Sequence, residues 1–479
     1  MHHVRWQLGL ALVLAAATGA VLTPVARGGD SALETDNEAG VTRTLNVAGF
    51  PVEAPGNPFF LDLGVNGRRC ATCHVIEENM TVTPAGVQKR FRDTAGTDPI
   101  FRTNDGSDSP LADVSTVGAR RRAYSMLLRK GVIRVGLPVP PTAEIELVDV
   151  EDPYGYAGRN ASGNELSLFR RPLPTTNLAF LSTVMWDGRE THQKGSAAAI
   201  HFDLTVQANS ATAGHAEAAA PVSQADREAI VAYQMGLFTA QVYDRRAGSL
   251  TAAGAAGGPD VLATQPFVFG VNDPLGCDPS GALCTGVNAQ FDPVVFTTFD
   301  AWSGARGARG AIARGQDLFN TFPIRITGVA GINDDFEVAA VPGTCTTCHD
   351  TPHAGDHSVP APLDIGVADP PVPAHADGNG VQNRFGLPVG DMPVYTLRHK
   401  LTGEIKLTTD PGRALITGQW KDIGRMKGPI LRGLSGRAPY FHNGAAATLR
   451  DVVEFYDRRF ALRLGEQQKS DLVAFLRAL

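Results

Sequence analysis

Two short stretches, RRCATCHV and GTCTTCHD, each place two thiols and an imidazole within five residues: Cys70, Cys73 and His74 in the first, Cys345, Cys348 and His349 in the second. Three chemistries use a C-x-x-C pair. Structural zinc needs a second pair of ligands to complete its tetrahedron. A thioredoxin-like redox pair belongs on a βαβ pattern, which the glycine- and proline-rich approach to Cys70 lacks. Covalent haem attachment uses all three side chains: the thiols add to the porphyrin vinyl groups and the histidine becomes the proximal iron ligand. One copy is weak evidence. Two copies, using four of the six cysteines, favour two covalently bound haem c groups.

The N-terminus fits that chemistry. A basic start with Arg5, an apolar run from Leu8 to Leu22 and a small-residue exit have the layout of a secretory signal over residues 1–28, which predicts a periplasmic protein. An uncleaved membrane anchor is the alternative, for which the run is short. In an oxidising compartment the remaining pair, Cys277 and Cys284, is expected to form a disulfide. The formal net charge of −6, with no basic block, argues against a nucleic-acid partner.

The motif histidines are 349 − 74 = 275 residues apart, so each motif can own a domain. Glycine and arginine replace apolar residues in DAWSGARGARG, which sets the expected boundary: an N-terminal haem domain over residues 29–300 and a C-terminal one over 301–479. Ahead of the second motif, Ile312, Leu318 and Phe319 follow a helical period, with Gln316 and Asp317 facing outward. The tail reads as two helices, the last with Leu472, Val473, Phe475 and Leu476 on one face. Strand signal is sparse and clearest as a hairpin around Thr402-Gly403. The expected fold is therefore mainly α: two cytochrome c-like haem domains with extensive loops and a short β-hairpin.

VMWDGRE, followed by KGPILRGLSGRAPYFHNGAAATLRDVVEFYDRRF at residues 427–460, resembles the bacterial dihaem cytochrome c peroxidases and their relative MauG. The likeness covers both motifs, residues 165 to 220 and nearly all the chain beyond 310. Residues 80–160 and 240–300 match nothing in that family. The resemblance implies that the N-terminal haem reacts with hydrogen peroxide, that the C-terminal haem stores electrons, and that Trp186 lies between them. A peroxide site needs a group that moves a proton between the two oxygens. The resemblance assigns Gln207 and Glu217 there, with His215 as the rival acid–base group or iron ligand. No histidine occurs between His74 and His192, so the loop histidine that closes the resting peroxidases has no counterpart.

On the second iron the resemblance places Tyr456 where the peroxidases carry methionine, as MauG does; Met426 is the other candidate. A phenolate disfavours the ferrous state relative to a thioether. His442 reads as a structural hydrogen-bonding residue. Arg432 reads as a haem propionate partner, since a guanidinium can pair bidentately with a carboxylate. The family also holds calcium between its domains, but Arg437 stands where threonine is usual and Pro172 where asparagine is. The resemblance leaves calcium and a homodimer open, and implies a redox partner protein such as a small cytochrome or copper protein. Two other classes fit the motifs: a dihaem oxygenase acting on an apolar substrate, and a dihaem electron-transfer cytochrome.

Overall fold

The computed structural model describes residues 31–156, 165–193, 195–276, 291–372 and 380–479. The leader expected over residues 1–28 and the cysteines at 277 and 284 lie outside them. Among the described residues, strands form four sheets. One is four-stranded: β1 (Ala32–Asp36), β2 (Gly40–Asn46), β6 (Leu237–Asp244) and β7 (Gly248–Ser249), antiparallel throughout. β3 (Ile133–Pro138) pairs with β5 (Glu165–Arg170), and β8 (Ile324–Ile326) with β9 (Val341–Gly343). β10 (Val394–His399) lies between β11 (Ile405–Thr408) and β4 (Ile145–Glu151).

The helices begin with α1 (Pro84–Thr94), α2 (Val117–Ala123) and α3 (Ser125–Lys130). Val87 and Phe91 of α1 and Leu127 and Leu128 of α3 share a core against which Cys73 packs. α4 (Ala197–His215) and α5 (Gln224–Met235) pack together, followed by the single turn α6 (Pro259–Leu262). α7 (Gly307–Thr321), the short α8 (Ala414–Thr417), α9 (Leu449–Phe460) and α10 (Glu466–Ala478) complete the set. α9 starts on a capping box, in which Thr448 accepts from the Asp451 amide while Asp451 accepts from that of Thr448. Leu472, Phe475 and Leu476 of α10 are buried against α7.

Helix makes up 31% and strand 17% of the described residues, so the expectation of a mainly α fold built from two cytochrome c-like domains is overturned. The reason lies in how the sheets bury their side chains. In β2 the inward positions are Thr42, Thr44 and Asn46, whereas Val41 and Leu45 are only half-buried. Thr44 and Thr176 each meet the Thr239 hydroxyl at 2.9 Å, so the buried face is satisfied by hydroxyl pairs instead of apolar contact. Such a strand lacks the usual alternation. Gln316 also departs from expectation: it is buried on α7, accepting from the Phe299 amide at 2.8 Å and donating to Asp300 at 2.6 Å. The Thr402-Gly403 hairpin is present as β10–β11, and its partner β4 crosses position 300 to reach it.

Candidate active site

Both C-x-x-C-H motifs fold into the same single turn. Cys70–Thr72 and Cys345–Thr347 are 3-10 turns in which the threonine hydroxyl accepts the amide three residues back, from Arg69 and from Thr344, each at 3.0 Å. The turn brings each histidine under a carbonyl six residues further on. His74 Nδ1 donates to Met80 O at 3.1 Å and His349 Nδ1 to Gly355 O at 2.6 Å. A carbonyl only accepts, so Nδ1 carries the hydrogen and Nε2 keeps its lone pair for a metal. Burial depresses both imidazoles, His74 to about 4, which keeps them neutral. Burial likewise pushes the Cys70, Cys345 and Cys348 thiols up to about 12 and raises Cys73.

The first motif opens onto a cleft, continuous with solvent, whose walls include Cys70, Cys73, His74, Trp186, Gln207 and His215. Its other walls are mostly apolar, with Leu178, Leu181 and Val184 on one side and Leu204, Ala208 and Ile230 on another. Gln207 and His215 share a face of α4 because they lie eight residues apart. His215 Nδ1 pairs with Asp105, which also forms a buried ion pair with Arg68. Burial would raise the Asp105 carboxyl, but His215 and Arg68 together hold it below its ordinary value. Glu217 lies beyond the end of α4, exposed, and accepts from Asn66 at 3.0 Å. It is not part of the cleft wall. The structure thus brings Gln207, Trp186 and His74 together with the rival His215, and sets Glu217 outside.

The VMWDGRE stretch is held by charge. Arg170, fully buried, pairs with Asp187 and, at 2.7 Å, with Asp410. Gly188 has φ +72°, a left-handed conformation that favours glycine. Trp186 Nε1 donates to Arg171 O at 2.8 Å, and its carbonyl accepts from the Lys427 amide at 2.8 Å. His442 meets the Trp186 ring edge-on at 6.2 Å between centroids.

The second motif is as partly buried as the first and sits in an apolar surround. Cys345 and Cys348 pack among Ile324, Ile326 and Val341, and the Phe319 ring lies 5.8 Å from that of His349. Tyr456 sits among Phe441, Phe455 and Phe460. It is half-buried, and burial, then the charges of Cys348 and Cys345, raise its phenol. Met426 is buried, paired in backbone register with Leu363. Arg432 is buried beside the motif; its Nε donates to His353 O, while Nη1 has no hydrogen-bond partner. Burial lowers that guanidinium to about 9. An unpartnered buried guanidinium fits an anionic group such as a haem propionate.

The calcium expectation does not fit. The Arg437 carbonyl accepts from Arg171 Nη2 at 3.0 Å, so a guanidinium already takes that oxygen. Burial lowers both Arg171 and Arg437 to about 10. A divalent cation placed there would face two buried positive charges.

Asp105 and Arg68 escaped the sequence reading. Arg68 adjoins the first motif, but Asp105 lies 110 residues from His215 in a segment that matched no family, and no local pattern marks it.

No family model matches the chain. Its sequence is 31% identical over 245 residues to cytochrome-c peroxidase IdrP1 of Pseudomonas sp. (strain SCT), covering 46% of this chain and 54% of that protein. The IdrP1 of Denitromonas iodatirespirans is 29% identical over 243 residues, with the same coverage. A cytochrome c551 peroxidase of Nitrosomonas europaea is 39% identical over 69 residues, 14% of this chain and 21% of that protein. The chain spans about half the length of the IdrP1 relatives it matches. The fold and cleft define a protein with two like thiol–imidazole turns, the first of which lines a cleft. By its sequence it is a relative of the bacterial cytochrome c peroxidases. No helix among the described residues is long and apolar enough to cross a membrane.

Proposed function

We propose that this chain is an exported oxidoreductase that carries two covalently attached haem c groups and reduces hydrogen peroxide at the N-terminal one. The observation that carries this reading is the cleft that opens directly on Cys70, Cys73 and His74 and holds Gln207 and His215 in its wall. When bound, a haem supplies a one-electron redox centre that can coordinate peroxide. The chain's own residues do the rest. Cys70, Cys73 and His74 would hold the first group; Cys345, Cys348 and His349 would hold the second, with Tyr456 as a further ligand and Arg432 pairing with a carboxylate of the group.

His215, oriented by Asp105 and Arg68, moves the proton from the inner to the outer peroxide oxygen, and Gln207 donates a hydrogen bond to the bound oxygen. Trp186 lies along the route by which electrons cross from the second group to the first. Two electrons and two protons convert the peroxide to two waters, the electrons coming from a redox partner protein. Tyr456, a hard oxygen donor, would lower the potential of the second group, and the fully ferric protein would then react without prior reduction.

Haem staining after denaturing electrophoresis, with electron paramagnetic resonance before and after peroxide, tests this reading. Haem is expected to stay on the polypeptide, and a high-spin ferric signal should vanish on adding peroxide. Zinc in place of iron, or a ferric protein inert to peroxide, would reject the reading. The apolar walls favour a second reading, an oxygenase acting on an apolar substrate. Oxygen uptake without peroxide would select it.

A further inference from the structure

Away from the cleft, behind the second motif, three ligating side chains meet in the interior. Asp350 follows His349 directly. His357 stands in the loop that returns past the motif, and Asp273 in the segment between α6 and α7. Their exposures are 0%, 3% and 1%. One oxygen or nitrogen from each lies within 4.8 Å of the others.

Asp273 accepts from the Leu275 amide at 2.9 Å, but hydrogen bonding does not account for the pairing of Asp350 with His357. His357 Nδ1 stands 3.0 Å from Asp350 Oδ2, yet the two are not aligned as a hydrogen bond. Neither ring nitrogen of His357, nor Asp350 Oδ2, has a hydrogen-bond partner. The other Asp350 oxygen accepts from the Ser358 amide at 2.7 Å. Among the described residues the salt-bridge partner of Asp350 is His357, while Asp273 and Asp356 bring further negative charge close to it. Buried carboxylates in proteins are either paired or bound to a metal, and an imidazole with both nitrogens unused inside a protein is as unusual.

We propose that Asp273, Asp350 and His357 form a binding site for one divalent ion of the zinc or manganese kind. Two carboxylate oxygens and a neutral imidazole nitrogen suit these ions. Calcium and magnesium prefer all-oxygen shells, which this set does not provide. The two positive charges balance the two carboxylates, and the ion answers the unused atoms of both Asp350 and His357. It also ties the loop carrying Asp273 to the turn bearing the second motif. That loop already touches the site through its backbone, where the Gly270 amide donates to Ser358 O at 3.1 Å. The site stands apart from the peroxide cleft and does not depend on the reaction proposed there.

Elemental analysis of the purified full-length protein, desalted without chelator, is the test. Zinc or manganese should be present at close to one per chain beyond haem iron. His357→Ala and Asp273→Asn should each lose it while the haem content, read as the pyridine haemochrome, stays unchanged. A misfolded variant would mislead, so wild-type protein is also stripped with dipicolinate and titrated with ZnCl2 or MnCl2 alone. Its melting temperature should rise by several degrees on re-addition. Wild-type protein with no metal beyond haem iron and no thermal response to either salt overturns the site. So does stoichiometric metal retained by both variants. None of these readouts involves peroxide, so the two proposals fail separately.

Discussion

The turns at Cys70 and Cys345 share their local bonding down to the threonine that closes each turn and the carbonyl that holds each histidine. Their surroundings differ. The first faces a cleft lined by Gln207 and His215, whereas the second is packed against Phe319, Ile324 and Tyr456. A prosthetic group needs the same five residues in both places to be held. Whether it meets a small substrate or only passes electrons depends on residues far away in the chain. Reactivity is thus a property of the second set of residues, and the motif alone carries none of it.

The largest test of that contrast removes one turn at a time. Cys70→Ala with Cys73→Ala should abolish peroxide turnover. Cys345→Ala with Cys348→Ala should leave one covalent haem and a first centre that still reacts with peroxide in stopped flow. Equal loss of that reaction from both would break the comparison. Next in size, His215→Ala should slow the peroxide reaction about 10²–10⁴-fold, and Glu217→Gln should leave it near the parent rate. The reverse pattern would hand the proton to Glu217.

Asp105→Asn, which takes away the carboxylate that orients His215, should cost about 10–100-fold. Asp105 is held below its ordinary value of 3.8. Its contribution is therefore present above that value and is lost only as pH falls through the depressed one. The melting temperature of the wild type should show no Asp105 step above about pH 4; a step near pH 6 that disappears in Asp105→Asn would contradict this. Smallest in its effect on turnover, Tyr456→Met should raise the second potential by on the order of 100 mV, a fraction of the ~0.8 V that axial ligands span, with peroxide binding untouched. No spectral or potential change would sink Tyr456 as a ligand and turn attention to Met426.

What could be read from the sequence was what repeats or has a period. The paired motifs, the α9 and α10 helices and the Thr402-Gly403 hairpin are all local patterns. Trp186 and Arg432 came from a motif and from simple charge chemistry, and the structure gives both a definite setting. The sheets were hidden because β2 turns Thr42, Thr44 and Asn46 inward and leaves Val41 and Leu45 half-buried. Gln316 was misplaced for a similar reason: a polar side chain is buried when distant groups satisfy it, here Phe299 and Asp300. Asp105 could not be found at all, since its meaning arises only where the fold brings it to His215.

The pairing of β4 with β10 sets a timetable for the growing chain. β4 ends at Glu151 and β10 begins at Val394, so 394 − 151 = 243 residues separate the strand from its partner. At roughly 5–20 residues per second of synthesis, β4 waits about 10–50 s with its edge bare. The sequence IELVDVE is prone to pair with any exposed strand it meets. Glu146, Asp149 and Glu151 carry negative charge along it, which makes two such edges repel during the wait. Neutralising those three acids should leave the finished sheet standing and lower the yield of chains that reach it.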